Sequence, residues 1–412
     1  MSEPLSDSAR RRVPFLYLTM VMSGMGTSLA FAIVPLVGRE LRLHELVISL
    51  PWLGIEWQPR ELLINALSAM TALITATTAP IWGRASDRLG RRRVIVTGLL
   101  GYSIGLLLFN LVAEIGRASI LGGLGLYLGL IAVRIIYASI MSAVGPASAA
   151  YMADITSPAQ RAGGVGRLNS ANQIGVMLGP ALIFFAFISL LAPIYLLAVL
   201  MGAMALLIWR LLPEGAPRLT HLQPSVRLGF FDPRYRRFML TGMIIYAMIG
   251  LAQPTLAFYF QDKLHLDGVT TAQRYSLAMM ISSGSMVIAQ LGFVQRVGWS
   301  PQQLLRLGLP VTVTGYALMA LATDIQHLWL AMACFGAGMG ITVPAFNAGA
   351  SLSVGPHEQG ALAGLLGSAA SLGYLFGPLL GGYLYGLAPA LPFWGAALAL
   401  LPLTLFTWLQ RR

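Results

Sequence analysis

The sequence predicts an all-α polytopic membrane protein with twelve transmembrane helices in two pseudo-symmetric six-helix bundles. Three observations carry this. Apolar runs of about twenty residues, enough to cross ~30 Å of hydrocarbon, recur along the chain. Of 412 residues, 57% are hydrophobic and only 10% charged, with a mean hydropathy of +0.73, a surface that water could not solvate in a soluble domain of this length. Identities also recur at a fixed spacing, as described below.

The formal charge of +12 invites a nucleic-acid reading until its placement is considered. Of the 27 Lys and Arg, six (Arg39, Arg42, Arg60, Arg117, Lys263, Arg274) fall at one set of span ends and Arg134 falls inside a span. The other twenty fall at the opposite ends, whereas the 15 acids divide almost evenly. Cationic connections resist translocation, so this asymmetry is an orientation signal. It places the basic ends and both termini in the cytoplasm, with the chain in the inner or plasma membrane. No nucleic-acid partner is needed to explain it. Cys334 stands alone in an apolar run, which gives neither a disulfide framework nor a thiolate metal site. Arg10, Arg11 and Arg12 precede an apolar stretch as in a signal peptide, but 13–37 is too long for one and lacks a small-x-small site after it. It reads as an uncleaved first helix.

The first six spans are expected over 14–37, 61–82, 94–113, 121–152, 164–190 and 193–212. The connection 38–60 is long and carries Trp52 and Trp57, residues suited to the interface. The fourth span is longer than one crossing needs, and Pro146 is expected to kink it. A cytoplasmic linker over 213–237 is marked by Pro213, Pro217, Pro224 and Pro233 and by several arginines. It separates an N-terminal bundle, 1–212, from a C-terminal one, 238–412. The last six spans are expected over 238–260, 275–294, 304–321, 328–353, 360–387 and 392–409.

The halves repeat. Gly179-Pro180 and Gly377-Pro378 lie 198 residues apart, and at that offset Pro158 meets Pro356, Gly166 meets Gly364, Leu168 meets Leu366, Ser170 meets Ser368 and Gly175 meets Gly373. Identities at one ungapped offset argue that the two bundles are structural copies.

Between the second and third spans the chain reads Gly83-Arg-Ala-Ser-Asp87-Arg88-Leu-Gly90-Arg91-Arg92-Arg93, with five Arg among eleven residues. A short turn is expected here, with Gly83 and Gly90 at corners of close backbone approach and Asp87 as the single acid, in search of a docking partner. Gly83, Asp87, Arg88, Gly90, Arg91 and Arg92 resemble, in order and spacing, the loop 2-3 signature of the major facilitator superfamily. That family is built from parallel six-helix repeats related by an axis along the membrane normal. The resemblance implies that Asp87 addresses the N-terminal end of the eleventh helix, whose dipole favours an anion. It implies further that Asp87 bonds Arg91 and connects to Asp154 in a latch that holds the halves together on the inside. Arg88, Arg92 and Arg93 read as lipid-facing orientation charge. A decayed copy, Gln295-Arg296-Val297-Gly298, has Gln295 in the place of Asp87.

A charge inside a span costs several kcal/mol unless it is paired or faces water, which makes Arg134 a functional candidate, with neutralisation by backbone carbonyls as the bland alternative. Leu130-x-x-x-Arg134 resembles the fourth-helix signature of the family's proton-coupled members, although Tyr137 and Ala138 stand where Gln and Gly are usual. Gly175-x-x-x-Gly179-Pro180 resembles the antiporter signature, and Gly373-x-x-x-Gly377-Pro378-x-x-Gly381-Gly382 is its fuller form. Physically, glycines at i and i+4 flatten a helix face for close packing, and proline bends the helix beyond. Asn65, Asn172, Gln173, Tyr246, Gln253, Gln290, Asn347 and Tyr374 are polar residues inside spans. They either line a substrate pathway or bond neighbouring helices.

There is no phosphate-binding loop for ATP, no His ligand spacing and no nucleophile with a base, so neither an enzyme, a cofactor nor a metal is expected. The resemblance implies a secondary transporter, monomeric in the bilayer, that exports a drug-like or small metabolite substrate in exchange for protons by alternating access. The central depths hold Arg134, the candidate coupling or substrate charge, and no evident carboxylate: either Glu61, Glu114 or Asp154, nearer the span ends, titrates, or Arg134 binds an anionic substrate such as a siderophore. A nutrient importer on the same fold and a non-transporting receptor or scaffold are the alternatives.

Overall fold

A computed structural model describes residues 13–50, 55–156, 161–214, 228–355 and 358–409. The sequence features at Arg10, Arg11, Arg12, Trp52, Pro158, Pro356, Arg411, Arg412 and most of the 213–237 linker lie outside them. Among the described residues, twelve helices are long and apolar enough to cross a membrane. They are α1 (Val13–Glu40), α2 (Glu61–Leu89), α3 (Arg91–Arg117), α4 (Gly123–Ile155), α5 (Gly163–Phe187) and α6 (Ala192–Leu211), then α7 (Arg236–Leu264), α8 (Gly268–Val297), α9 (Pro301–Leu321), α10 (Ile325–Leu352), α11 (Gln359–Leu387) and α12 (Leu391–Leu409). Ile104, Phe184, Ile288 and Leu405 are each more than half exposed, as side chains facing lipid would be.

Several boundaries differ from expectation. The 83–93 stretch is not a loop, since α2 runs to Leu89 and α3 starts at Arg91. A 29-residue helix rises roughly 43 Å against ~30 Å of hydrocarbon, so the apolar run marks the membrane crossing and the helix continues past it. Gly90 alone breaks the path, at φ +95°, where a Cβ would also sit 2.2 Å from Glu214 Oε1. Gly90→Ala is therefore expected to destabilise the protein by on the order of 2 kcal/mol, read as a lowered Tm in a detergent melt. In α4 the interruption falls at Ser142 and Ala143 rather than at Pro146 itself, because the proline ring clashes with the carbonyl four residues earlier. The 38–60 connection contains an unforeseen antiparallel pair, β1 (Ile48–Leu50) and β2 (Ile55–Trp57), with Ile48 opposite Trp57.

The chain forms two compact units, Met1–Phe31 with Met70–Pro224, and Ala32–Ala69 with Ser225–Arg412. In the first, α3 packs on α4 and α6; in the second, α9 packs on α10 and α12. In the first, α5 crosses α1 so closely that a Cβ on Gly175 would lie 1.8 Å from Val21 O, and one on Gly24 would lie 2.0 Å from Asn172 O. In the second, α11 crosses α7 in the same manner, Gly373 against Ala247 N at 2.6 Å and Gly377 against Gly250 at 2.6 Å. Ser170 Oγ donates to Gly166 O at 3.1 Å and Ser368 Oγ to Gly364 O at 3.0 Å. The 198-residue offset therefore relates contacts as well as letters. The copies are not identical, because α5 breaks at Gly179 into a short turn and a 3-10 segment (Phe184–Phe187), whereas α11 continues through Pro378.

Candidate functional site

Because α2 stays helical to Leu89 and α3 begins at once, Asp87 and Arg91, four residues apart, form an ion pair across Gly90. Arg91 Nε also donates to Asp154 Oδ2 of α4 at 3.0 Å, and its Nη1 donates to Ser86 Oγ. One guanidinium thus joins α2, α3 and α4, while the Asp87 side chain stays half exposed. Gly83 lies inside α2 with Pro146 Cβ at 3.8 Å, an ordinary distance, so the close approach expected there occurs at Gly90 instead.

Arg92 and Arg93 are not simply lipid-facing. Arg92 Nε meets Glu214 Oε2 at 3.1 Å, its Nη1 donates to the carbonyls of Leu212 and Trp209, and its guanidinium lies 5.1 Å over the Trp209 ring. Arg93 Nε is 3.6 Å from the same carboxylate. The partner, Glu214, lies just past the end of α6 and was not foreseen. Arg88 is exposed.

The second unit has its own arginine with two acids at the corresponding ends. Arg234, just before α7, donates to both oxygens of Glu358, each at 2.9 Å, and to Asp232 Oδ2 at 2.9 Å. Hydrogen bonds from Arg234 hold the Asp232 and Glu358 carboxyls below the usual carboxylate range. The sequence copy at Gln295–Gly298 instead ends α8, with Gly298 at φ +63°.

At mid-span, Arg134 is 2% exposed, donates from Nη1 to Thr71 Oγ1 of α2 at 2.8 Å, and lies over the rings of Phe109 (5.3 Å) and Tyr137 (5.9 Å). Tyr102 stacks on Tyr137 at 6.0 Å. In the second unit Tyr246 meets Phe346 at 5.9 Å and Tyr374 at 6.0 Å, with Asn347 next along α10. That brings three of the eight polar candidates into one neighbourhood. Asn172 Nδ2 donates to Met20 O at 3.3 Å and so bonds α5 to α1. Gln253 and Gln290 are half-buried, Gln290 within a π-helical segment (Ile288–Val294), and Gln173 is exposed.

At the opposite ends of the helices lies a cluster for which no sequence motif spoke. Arg39 of α1 donates from Nη2 to Glu61 Oε1 of α2 at 2.7 Å and to Asp262 Oδ2 of α7 at 2.8 Å. Its Nη1 pairs with the other Asp262 oxygen and reaches Gln261 Oε1 at 3.3 Å. Tyr385 of α11 donates to Asp262 Oδ2 at 2.6 Å, and the Arg39 guanidinium lies 4.6 Å over the Phe258 ring. All belong to the second compact unit.

The Major Facilitator Superfamily pattern matches residues 16–373. The chain belongs to that superfamily. Among its relatives, multidrug resistance protein 1 of Bacillus subtilis is 26% identical over 399 residues, spanning 93% of this chain and 92% of that one. The class C tetracycline resistance protein of Escherichia coli is 30% identical over 328 residues, 77% of this chain and 78% of that one. The crystal structure of the human organic anion transporter MFSD10 (TETRAN) superposes with a TM-score of 0.66 at 19% identity, covering 98% and 100% of the two chains. As a facilitator-superfamily member the protein is a multi-pass membrane transporter of small molecules and performs no enzymatic chemistry. Arg91, Arg234 and Arg39 are each shared by two carboxylates.

Proposed function

We propose that the chain is a proton-driven exporter of a drug-like or small metabolite substrate, working as a monomer by alternating access, with the Gly90 end and both termini in the cytoplasm of a plasma membrane. The observation that carries this is Arg91, bonded at once to Asp87, Asp154 and Ser86. A guanidinium that rigidly joins three helix ends leaves the half-exposed Asp87 carboxylate presented at the cytoplasmic face. There a helix N-terminus, with its partial positive charge, favours it as a docking partner. In the family resemblance that partner is the start of α11. The kinship with multidrug and tetracycline resistance proteins supports the export direction, and the buried Arg134 supplies a charge at the depth where solute and proton compete.

The test is efflux of a panel of drugs, tetracyclines included, from cells with and without the protein, repeated with an uncoupler. Uncoupler-sensitive efflux is expected, and Asp87→Asn is expected to reduce it about tenfold at equal membrane abundance, the scale of one charge-assisted bond worth ~1.4 kcal/mol. Accumulation in place of efflux would make the protein an importer, and no flux for any solute would make it a receptor or scaffold.

A further inference from the structure

We propose that Arg39, Glu61, Asp262 and Tyr385 form the exit-side gate of the transport cycle, and that Glu61 and Asp262 act on Arg39 in opposite senses. The exit-side placement rests on the export reading above; the gate itself rests on which bonds join which helices.

The cluster divides along the internal repeat. Arg39 and Glu61 sit on α1 and α2 of the first repeat and are bonded at 2.7 Å. Asp262 and Tyr385 sit on α7 and α11 of the second and are bonded at 2.6 Å. Within this cluster, the bonds that cross from one repeat to the other leave from Arg39, two to Asp262 and one to Gln261. If the helix ends part along this line, Arg39 keeps Glu61 and Asp262 keeps Tyr385. No charge is stranded without a partner, the event that makes breaking a buried ion pair so costly. A pair serving only to hold the fold together would need no such second set of partners.

Burial points the same way. The Glu61 side chain is 9% exposed and Arg39 12%, whereas Asp262 is 38% exposed, so the group that must let go is the one water already reaches. Two further features suit a contact that opens and closes. On the α2 face one turn from Glu61, Asn65 is 1% exposed with neither amide atom hydrogen-bonded. A Cβ on Gly382 of α11 would lie 3.0 Å from Asn65 Nδ2 and 2.8 Å from Leu62 Cα. The helices therefore meet at backbone distance directly beneath the charges, over a polar spot that a dry, permanent interface would not retain.

The two carboxylates then have distinct roles. Asp262 is the group that closes the gate. Glu61 is a positioning residue, which holds Arg39 in both states and matters most in the open one. Removing Asp262's charge favours opening; removing Glu61's charge leaves Arg39 without a partner when open and favours closure.

The experiment uses the full-length protein with Cys334→Ser and a reporter Asn65→Cys, labelled in cells and in inverted membranes by a membrane-impermeant maleimide. Asp262→Asn is expected to raise the labelling rate about tenfold and Glu61→Gln to lower it severalfold, a shift of a two-state population in opposite directions. Asp262→Glu, which keeps the charge, is expected to label near the parent rate, which also shows that substitution at this position leaves the protein folded. Equal acceleration by both carboxylate variants would mean a purely structural cluster and overturn the proposal. So would an unchanged rate in Asp262→Asn. The side from which the maleimide reacts reads the orientation separately. Labelling only in inverted membranes would refute the export topology, while the contrast between the two variants still reads the gate.

Discussion

Gly175→Ala is expected to destabilise the protein by about 3 kcal/mol or more, at or beyond the usual upper end for overpacking, whereas Gly166→Ala on the same helix is expected to be neutral or to stabilise by ~0.5–1 kcal/mol. The difference is entirely one of neighbours. A Cβ at 175 would lie 1.8 Å from Val21 O and 2.6 Å from its carbonyl carbon, backbone atoms of α1 that have no rotamer by which to retreat. The helices would have to separate, and with them the reciprocal contact of Gly24 on Asn172 and the bond from Asn172 to Met20 O. A Cβ at 166 would meet nothing within 4 Å and would simply raise helix propensity. The repeat extends the prediction, because Gly373, jammed against Ala247 and Tyr246, should behave as Gly175, and Gly364, with open space, as Gly166. Thermal melts of the four variants in one detergent check it. Similar Tm values for Gly166→Ala and Gly175→Ala would mean that the α1–α5 crossing is looser than described.

The same contacts show what the sequence made legible. Number and order of spans follow from apolar length, which in a membrane chain is dictated by the solvent. The repeat follows from identities at Gly175, Gly179 and Pro180, and at the two glycines a Cβ would strike the backbone of the crossing helix. Asp87, Arg91 and Asp154 are legible as a resemblance, and Arg91 does bond both acids. Helix ends beyond the hydrocarbon were not legible, since water and headgroups impose no apolar signal. Residues 83–89 therefore read as loop and proved helical. Nor were partners distant in sequence. Glu214, which holds Arg92 and Arg93, looks like any acid following a span, and Arg39 with Asp262 looked like ordinary end charges. Arg39 and Asp262, 223 residues apart, carry no spacing rule that joins them. Only the fold, which sets the end of α1 beside the end of α7, brings them together.

Arg134→Gln is expected to cut uncoupler-sensitive efflux by well over tenfold, while Thr71→Ala cuts it no more than about fivefold, the worth of one ~1 kcal/mol hydrogen bond. Arg134 is 2% exposed within α4, where a charge costs several kcal/mol unless it is paired or faces water, and its planar group lies over Phe109 and Tyr137 while donating to Thr71. Lying over two rings and donating to the Thr71 hydroxyl, the guanidinium is fixed in direction, so removing it takes away an oriented charge, whereas removing Thr71 only loosens its aim. Arg134→Lys separates these contributions. It keeps the charge but loses the flat face and fork, and is expected to recover part of the flux and little of the aromatic stacking. Kd values for acidic and neutral solutes then assign the charge. Weakening confined to acidic solutes makes Arg134 the seat of an anionic substrate, whereas loss of coupled flux for both, with Kd values little changed, makes it part of the proton path. Full efflux in Arg134→Gln would remove it from the transport cycle altogether and leave it as a packing residue of the α2–α3–α4 core.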